Sequence, residues 1–114
     1  MAGKHILLVE DDTDLLLVLF QVLEEAGYRV STASRRDEAH RLLAGDIDLI
    51  VADSVLRGGN GDDVAKAGSG RGLPVIMISG EPGRIERLKS GPAPFLQKPF
   101  HAAELLRLIA NLLA

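Results

Sequence analysis

The sequence predicts an α/β protein built on a doubly wound, parallel five-stranded sheet. Short apolar runs recur along the chain, and each is closed by acids, glycines or prolines, as is typical of strands buried on both faces. Segments with helical spacing separate these runs, and no long linker or repeat interrupts them. Regular alternation of strand and helix implies a parallel sheet with right-handed crossovers. The 114 residues, 1–114, are expected to form a single domain.

The chain begins with a strand and a helix. Residues 6–9 are apolar throughout and predict the first strand. A helix is predicted over residues 14–26, with Asp12 or Thr13 as its N-terminal cap and Gly27 as its left-handed end.

The next elements lead to a single carboxylate. Residues 28–33 alternate in polarity, which predicts a half-exposed edge strand. A second helix is predicted from Ser34 to Gly45, because its S-x-x-D start resembles a capping box. The third strand, residues 47–52, is apolar apart from Asp48 and ends at Asp53.

The second half of the chain repeats the alternation with weaker helices. A brief third helix is predicted over 62–67, before three glycines that should interrupt it, and a short fourth helix over 84–90. The fourth strand is predicted at 73–79, the fifth at 95–97, and a last helix at about 101–113.

The strand patterns favour one order of the sheet. The flavodoxin-like order 2-1-3-4-5 places the alternating second strand at an edge and the apolar strands inside, with shortened helices 3 and 4. The topological switch point then lies between strands 1 and 3. Their carboxyl ends carry Glu10, Asp11 and Asp12 on one side and Asp53 on the other.

Composition excludes several classes of function. There is no cysteine, which excludes a disulfide framework, a thiolate metal site and a cysteine nucleophile. The net charge of −3 argues against nucleic-acid binding, which needs a basic surface. The apolar runs are too short for a signal peptide or a membrane span, so we expect a cytoplasmic protein.

Polar groups converge at one end of the predicted sheet. Glu10, Asp11 and Asp53 should meet there with the hydroxyl of Ser79 and the ammonium of Lys98. Taken singly, these groups could be a helix N-terminus, an Asx turn, a loop hydroxyl and a surface cation. Together they predict a site for Mg²⁺ and a phosphoryl group, because Mg²⁺ prefers carboxylates, waters and phosphate oxygens.

Four segments, together with Gly61, resemble the receiver domain of bacterial two-component response regulators. They read I-L-L-V-E-D-D at 6–12, D-L-I-V-A-D at 48–53, V-I-M-I-S-G at 75–80 and L-Q-K-P-F at 96–100. The resemblance spans the whole chain. It implies that Asp53 accepts the phosphoryl group, that Ser79 is the switch hydroxyl, and that Lys98 contacts the phosphoryl group.

The same resemblance implies a metal site and an aromatic switch. Glu10 and Asp11 would be the acidic pair that binds Mg²⁺ together with Asp53, and the backbone carbonyl of Val55 would be a further ligand. Phe95 would occupy the aromatic switch position, without the hydroxyl of the tyrosine that is common in the family.

Two features of the sequence do not follow from the family pattern. Arg57 stands where the family usually has proline, which puts a second cation near the phosphoryl group. Leu17, Val18 and Leu108 fall on polar faces of helices 1 and 5. They are either scattered surface residues or a docking or homodimer patch.

The sequence therefore predicts a two-component phosphorelay receiver that is not an enzyme in the usual sense. It would take a phosphoryl group from a sensor histidine kinase or a histidine phosphotransfer protein and signal by conformational change and protein binding. We expect no output domain within these 114 residues, so the receiver would work by binding, relay the phosphoryl group onward or be part of a longer protein. One alternative is a phosphatase that uses Asp53 as its nucleophile. Such an enzyme would need a second carboxylate two residues on, where this chain has Val55. The other alternative is a degenerate receiver that binds partners without phosphate.

Overall fold

The computed structural model describes residues 3–56, 59–91 and 93–114. These residues form seven strands and five helices. In chain order they are β1 His5–Val9, α1 Thr13–Glu25, β2 Arg29–Ala33, α2 Arg36–Leu42, β3 Leu49–Asp53, β4 Val55–Leu56, β5 Gly59–Asn60, α3 Gly61–Gly70, β6 Val75–Ser79, α4 Pro82–Lys89, β7 Phe95–Gln97 and α5 Ala102–Leu112.

Five of the strands form one parallel sheet in the order β2-β1-β3-β6-β7. The predicted order is confirmed. In the described part of the chain, β4 and β5 form a separate antiparallel pair outside this sheet. The alternating strand β2 lies at an edge, and the apolar strands β1, β3 and β6 lie inside. The switch point therefore falls between β1 and β3, as predicted.

The sheet separates two apolar clusters. Successive side chains of a strand point to opposite faces, so Leu7 packs into one cluster and its neighbour Leu8 into the other. Buried residues of α2 and α3 cover the first face, and those of α1 and α5 cover the second. Because both faces are covered, an inner strand has no solvent side, which explains the continuous apolar runs.

The ends of α1 follow the prediction. Asp12 is its N-cap and accepts a hydrogen bond from Leu15 N at 3.1 Å. Gly27 follows the helix with φ of 97°, a left-handed conformation that glycine adopts without a steric penalty.

The predicted extent of the third helix is wrong. Instead of ending before Gly68, α3 runs for ten residues to Gly70. Gly68 is buried, and a Cβ at this position would overlap Ile50 Cδ1. The glycine lets the helix approach β3 closely, and this packing outweighs a helix propensity about 1 kcal/mol poorer than that of alanine. The fourth helix is short, with eight residues, and begins at Pro82.

The predicted capping box of the second helix is also wrong. α2 begins at Arg36, and its N-cap Arg35 makes no side-chain capping bond. Ser34 instead donates its backbone N–H to Glu38 Oε1 at 2.8 Å. The carboxylate one turn into the helix thus satisfies a donor that precedes it.

None of the helices in the described part of the chain is long and apolar enough to cross a membrane.

Candidate functional site

The acidic residues meet where β1 and β3 end side by side. Val9, the last residue of β1, is in register with Ala52, so Glu10 and Asp53 leave the sheet as neighbours. Carboxylate oxygens of Glu10, Asp11 and Asp53 lie within 4.8 Å of one another. The structure thus brings together the three acids that were predicted to meet.

Two of these acids are buried. Glu10 is 1% exposed and Asp53 is 6% exposed. Buried charges need a partner, and Lys98 provides it from the residue after β7. Its Nζ lies 2.6 Å from Asp53 Oδ2 and 3.0 Å from Glu10 Oε1. One ammonium therefore contacts both buried carboxyl groups.

The two buried acids have opposite pKa shifts. Burial and a hydrogen bond to Asp53 raise the pKa of Glu10 from 4.5 to about 7, against the opposing effect of Lys98. Burial also pushes the pKa of Asp53 upwards, but hydrogen bonds with Glu10 and Lys98 outweigh it and hold this pKa below 3.8. The directions of the two shifts favour a proton on Glu10 and an ionised Asp53.

The counter-cation stays charged. Burial lowers the pKa of Lys98, but its contacts with Asp53 and Glu10 outweigh this effect and raise the pKa above 10.5. An ionised carboxylate beside a charged ammonium is the state in which Asp53 can act as a nucleophile.

Backbone groups hold the acids in place. Val55 N donates to Asp53 Oδ1 at 3.1 Å, and Asp12 N donates to Glu10 Oε2 at 3.2 Å. Each bond spans two residues and fixes a carboxylate at the end of its strand. Val55 therefore contacts Asp53 through its backbone N–H. The role of its carbonyl as a metal ligand stays a prediction.

Ser79 ends β6 on the other side of Asp53. Its side chain is fully buried, and Ser79 Oγ accepts a hydrogen bond from Glu81 N at 3.1 Å. Its carbonyl accepts a bond from Lys98 N at 2.8 Å, which fixes the backbone of the lysine beside the end of β6. The hydroxyl and the ammonium thus reach this edge of the sheet from adjacent strands.

The oxygen atoms of this cluster suit a hard divalent cation. Glu10 Oε1 is buried and has an ion-pair contact with Lys98, but among the described residues it accepts no aligned hydrogen bond. Together with the neighbouring Asp11 and Asp53, it forms an all-oxygen group of the kind that Mg²⁺ prefers. The donor set therefore fits the metal that the sequence predicts.

Comparison with known proteins identifies the family to which this fold belongs. A family model described as the response regulator receiver domain matches residues 6–110. The chain belongs to this family.

Response regulator SaeR of Staphylococcus aureus is a curated relative of this receiver. The two sequences are 33% identical over an alignment of 114 residues in length. The alignment covers 96% of this chain and 50% of that protein. The receiver thus spans about half the length of the curated relatives that it matches.

Solved receiver structures superpose on the whole chain. The non-phosphorylated receiver domain of HemR from Leptospira biflexa has a TM-score of 0.85 at 36% identity, covering 98% of this chain and 95% of that one. A response regulator receiver protein from Sinorhizobium medicae has a TM-score of 0.87 at 29% identity, covering 97% and 94%. These likenesses confirm the flavodoxin-like receiver fold.

The predicted aromatic switch and surface patch have distinct environments in the receiver. Phe95 is half-buried and packs against the cluster that α2 and α3 cover. Leu17 and Val18 are 60% and 55% exposed, whereas Leu108 is half-buried against the α1 and α5 cluster. The patch is therefore open to solvent on α1 and more enclosed on α5. Arg57 lies outside the described residues.

Sequence reasoning missed an ion pair beside the site. Arg84 Nη1 of α4 lies 2.7 Å from Asp62 Oδ2 of α3, and the Arg84 side chain is only 19% exposed. The two residues are far apart in the sequence, and neither belongs to the segments that resemble the family. No pattern in the sequence predicts which residues pair across two helices.

Proposed function

We propose that this receiver accepts a phosphoryl group on Asp53 from a phosphohistidine of a partner protein. The observation that carries the proposal is the position of Asp53, a buried carboxylate at the end of β3 whose Oδ2 lies 2.6 Å from the Lys98 ammonium. A sensor histidine kinase or a histidine phosphotransfer protein would be the donor. The cytoplasmic location expected from the sequence belongs to the same proposal.

The transfer needs only one bond to form and one to break. An oxygen of Asp53 attacks phosphorus, and the N–P bond of the donor breaks with its electron pair going to the imidazole. Lys98, already beside Asp53, offsets the negative charge of the phosphoryl oxygens during the transfer. The product is an acyl phosphate whose charge is about −1.5 to −2 in place of −1.

Glu10, Asp11 and Asp53 would hold Mg²⁺, with the Val55 carbonyl as the further predicted ligand. When bound, the ion would neutralise charge on the phosphoryl oxygens. Two observations support this assignment. Glu10 Oε1 is buried and accepts no aligned hydrogen bond among the described residues, and oxygens of the three carboxylates lie close together. As a ligand of the ion, Glu10 would be in its ionised form, because carboxylates bind metals deprotonated.

Signalling would follow from the new charge at Asp53. Ser79 bonds Glu81 N in the present arrangement, and a turn of this hydroxyl towards the phosphoryl oxygens would break that bond. Phe95 would then fill the space that the turn vacates. Such a change shifts an existing equilibrium between two conformations and leaves the fold intact.

Intact-mass measurement tests the proposal. Wild-type protein and Asp53→Asn are incubated with Mg²⁺ and acetyl phosphate, and separately with a phosphorylated histidine phosphotransfer protein. We expect a phosphoryl adduct on the wild type that Asp53→Asn lacks. Rapid multiple-turnover hydrolysis of the donor would instead indicate a phosphatase, and no adduct under any condition would indicate a degenerate receiver.

A further inference from the structure

A ring of contacts connects the backbone of Asp53 with the hydroxyl of Ser79. On the α3 side, Gly61 N donates to Ser54 O at 3.0 Å. Gly61 also packs directly against the carbonyl of Asp53, where a Cβ would collide with the oxygen. The first turn of α3 is therefore attached tightly to the predicted phosphoacceptor.

Arg84 completes the ring from α4. Its guanidinium lies 2.7 Å from Asp62 Oδ2, one residue after Gly61, and 3.7 Å from Glu81 Oε2. Glu81 in turn donates its backbone N–H to Ser79 Oγ at 3.1 Å. Arg84 thus joins the start of α3 to the turn that carries the switch hydroxyl.

The ring borders a small cavity. Its volume is about 120 Å³, and it is lined by Ser54, Asp62, Met77, Arg84, Arg87 and Leu88. Ser54 Oγ is buried and has no hydrogen-bond partner among the described residues. The cavity leaves unfilled space beside the Arg84 side chain, in contrast to the packed core, which tolerates little overlap.

We propose that Arg84 is a positioning residue that holds the Ser79–Glu81 turn in its present arrangement through its ion pair with Asp62. This inference rests on the proposed function, because the position of the turn affects signalling only if Ser79 hydrogen-bonds to a phosphoryl group on Asp53. Gly61 keeps Asp62 fixed to the acceptor strand. An inward turn of Ser79 carries Glu81 and the start of α4 with it and strains the pair, so the pair favours the unphosphorylated conformation.

Loss of the ion pair should make the receiver easier to activate. Asp62→Asn and Arg84→Gln should each increase the rate of Asp53 phosphorylation by acetyl phosphate about threefold to fivefold, as expected for a partly buried pair that biases two states. The double variant should be no faster than Arg84→Gln alone, because that substitution already removes the interaction with Asp62. Arg87→Gln, which removes a cation from the same helix and cavity, is the matched control and should match the wild type.

Amide NMR spectra provide a readout that general loosening would not reproduce. In the unphosphorylated Arg84→Gln and Asp62→Asn variants, the Ser79 and Glu81 signals should move along the line between free wild type and wild type saturated with Mg²⁺ and beryllofluoride. Displacement away from that line, or a phosphorylation rate equal to that of Arg87→Gln, would overturn the inference. If Arg84→Gln does not fold, Asp62→Asn tests the same pair from a half-exposed position.

The wild type separates the two proposals. If it forms no adduct with acetyl phosphate or with the phosphorylated donor protein, the proposed function fails, and the role of Arg84 fails with it. If it forms the adduct and Asp62→Asn behaves like Arg87→Gln, only the role of Arg84 fails.

Discussion

Lys98 contacts both buried acids, so its removal should affect the site before any phosphoryl group arrives. In Lys98→Gln the carboxylates lose their counter-cation, and breaking a buried pair by removing one partner is destabilising. We expect a lower melting temperature in metal-free protein, with a larger decrease at pH 8 than at pH 5, where protonation relieves the repulsion. Adduct formation with acetyl phosphate should fall at least about tenfold, because the phosphoryl charge also loses its partner.

Lys89→Gln is the control for this substitution. Lys89 is exposed at the end of α4 and contacts Glu86 at 3.8 Å. Equal melting temperatures and equal adduct yields for the two variants would contradict the assigned role of Lys98. Scanning calorimetry and intact mass measure the two quantities.

The raised pKa of Glu10 predicts how stability depends on pH. A carboxyl group whose pKa is higher in the folded state than in the unfolded one binds its proton more tightly when folded. Metal-free protein should therefore lose stability as the pH rises from about 4.5 to about 7. Asp53, whose pKa is lowered, contributes the opposite trend only below 3.8.

Glu10→Gln checks this dependence, because the amide is neutral throughout. The free energy of unfolding is measured by urea denaturation in EDTA at pH 5 and at pH 8. From pH 5 to pH 8 it should fall by roughly 1–2 kcal/mol more in the wild type than in the variant, after allowance for solvent screening. A loss of stability that is the same in both proteins would contradict the assignment of the shared proton to Glu10.

Most of the acid cluster could be predicted from the sequence because strand ends are local signals. An apolar run that stops at Asp53 specifies both the strand and the edge that its carboxylate reaches. The Asp62–Arg84 pair could not be predicted, since it depends on how α3 and α4 pack. The division of protons between Glu10 and Asp53 also required burial and distances, because the two residue types differ little in water.

Two glycines of α3 offer a matched test at the level of the helix. A Cβ at Gly68 would overlap Ile50, whereas one at Gly70 has no atom within 4 Å. Gly68→Ala should therefore lower the free energy of unfolding by about 1–3 kcal/mol through overpacking. Gly70→Ala should raise it by about 0.5–1 kcal/mol through better helix propensity.

Urea denaturation of the two variants measures both effects. Stabilisation by Gly68→Ala would show that α3 is not held against β3 as described. The same pair explains why the length of this helix could not be predicted. Helix propensity penalises both glycines alike, and only the tertiary contact with β3 distinguishes them.

For the whole receiver, the predicted partner surface can be tested at Leu17 and Val18, which are exposed on α1. Leu17→Glu adds a charge to this patch with little effect on the core, because the side chain is 60% exposed. We expect weaker self-association in sedimentation experiments, or slower phosphotransfer from a phosphorylated partner protein. Acetyl phosphate should still phosphorylate the variant at the wild-type rate.

Gln21→Glu is the control, since it adds the same charge to an exposed position of the same helix. Leu108→Glu probes the α5 side, and its melting temperature must be compared as well, because this side chain packs against the core. If Leu17→Glu and Leu108→Glu leave both self-association and phosphotransfer unchanged, the patch consists of ordinary surface residues.

The sheet that separates the two apolar clusters also separates the consequences of mutation. In the described part of the chain, the buried strands lie between the α1 and α5 layer and the α2 and α3 layer, and effects of distant, unconnected sites generally add. Substitutions that retune a contact surface on one layer can therefore accumulate without altering the opposite layer. Each face of such a receiver can therefore diversify on its own while the acidic edge between them keeps its residues.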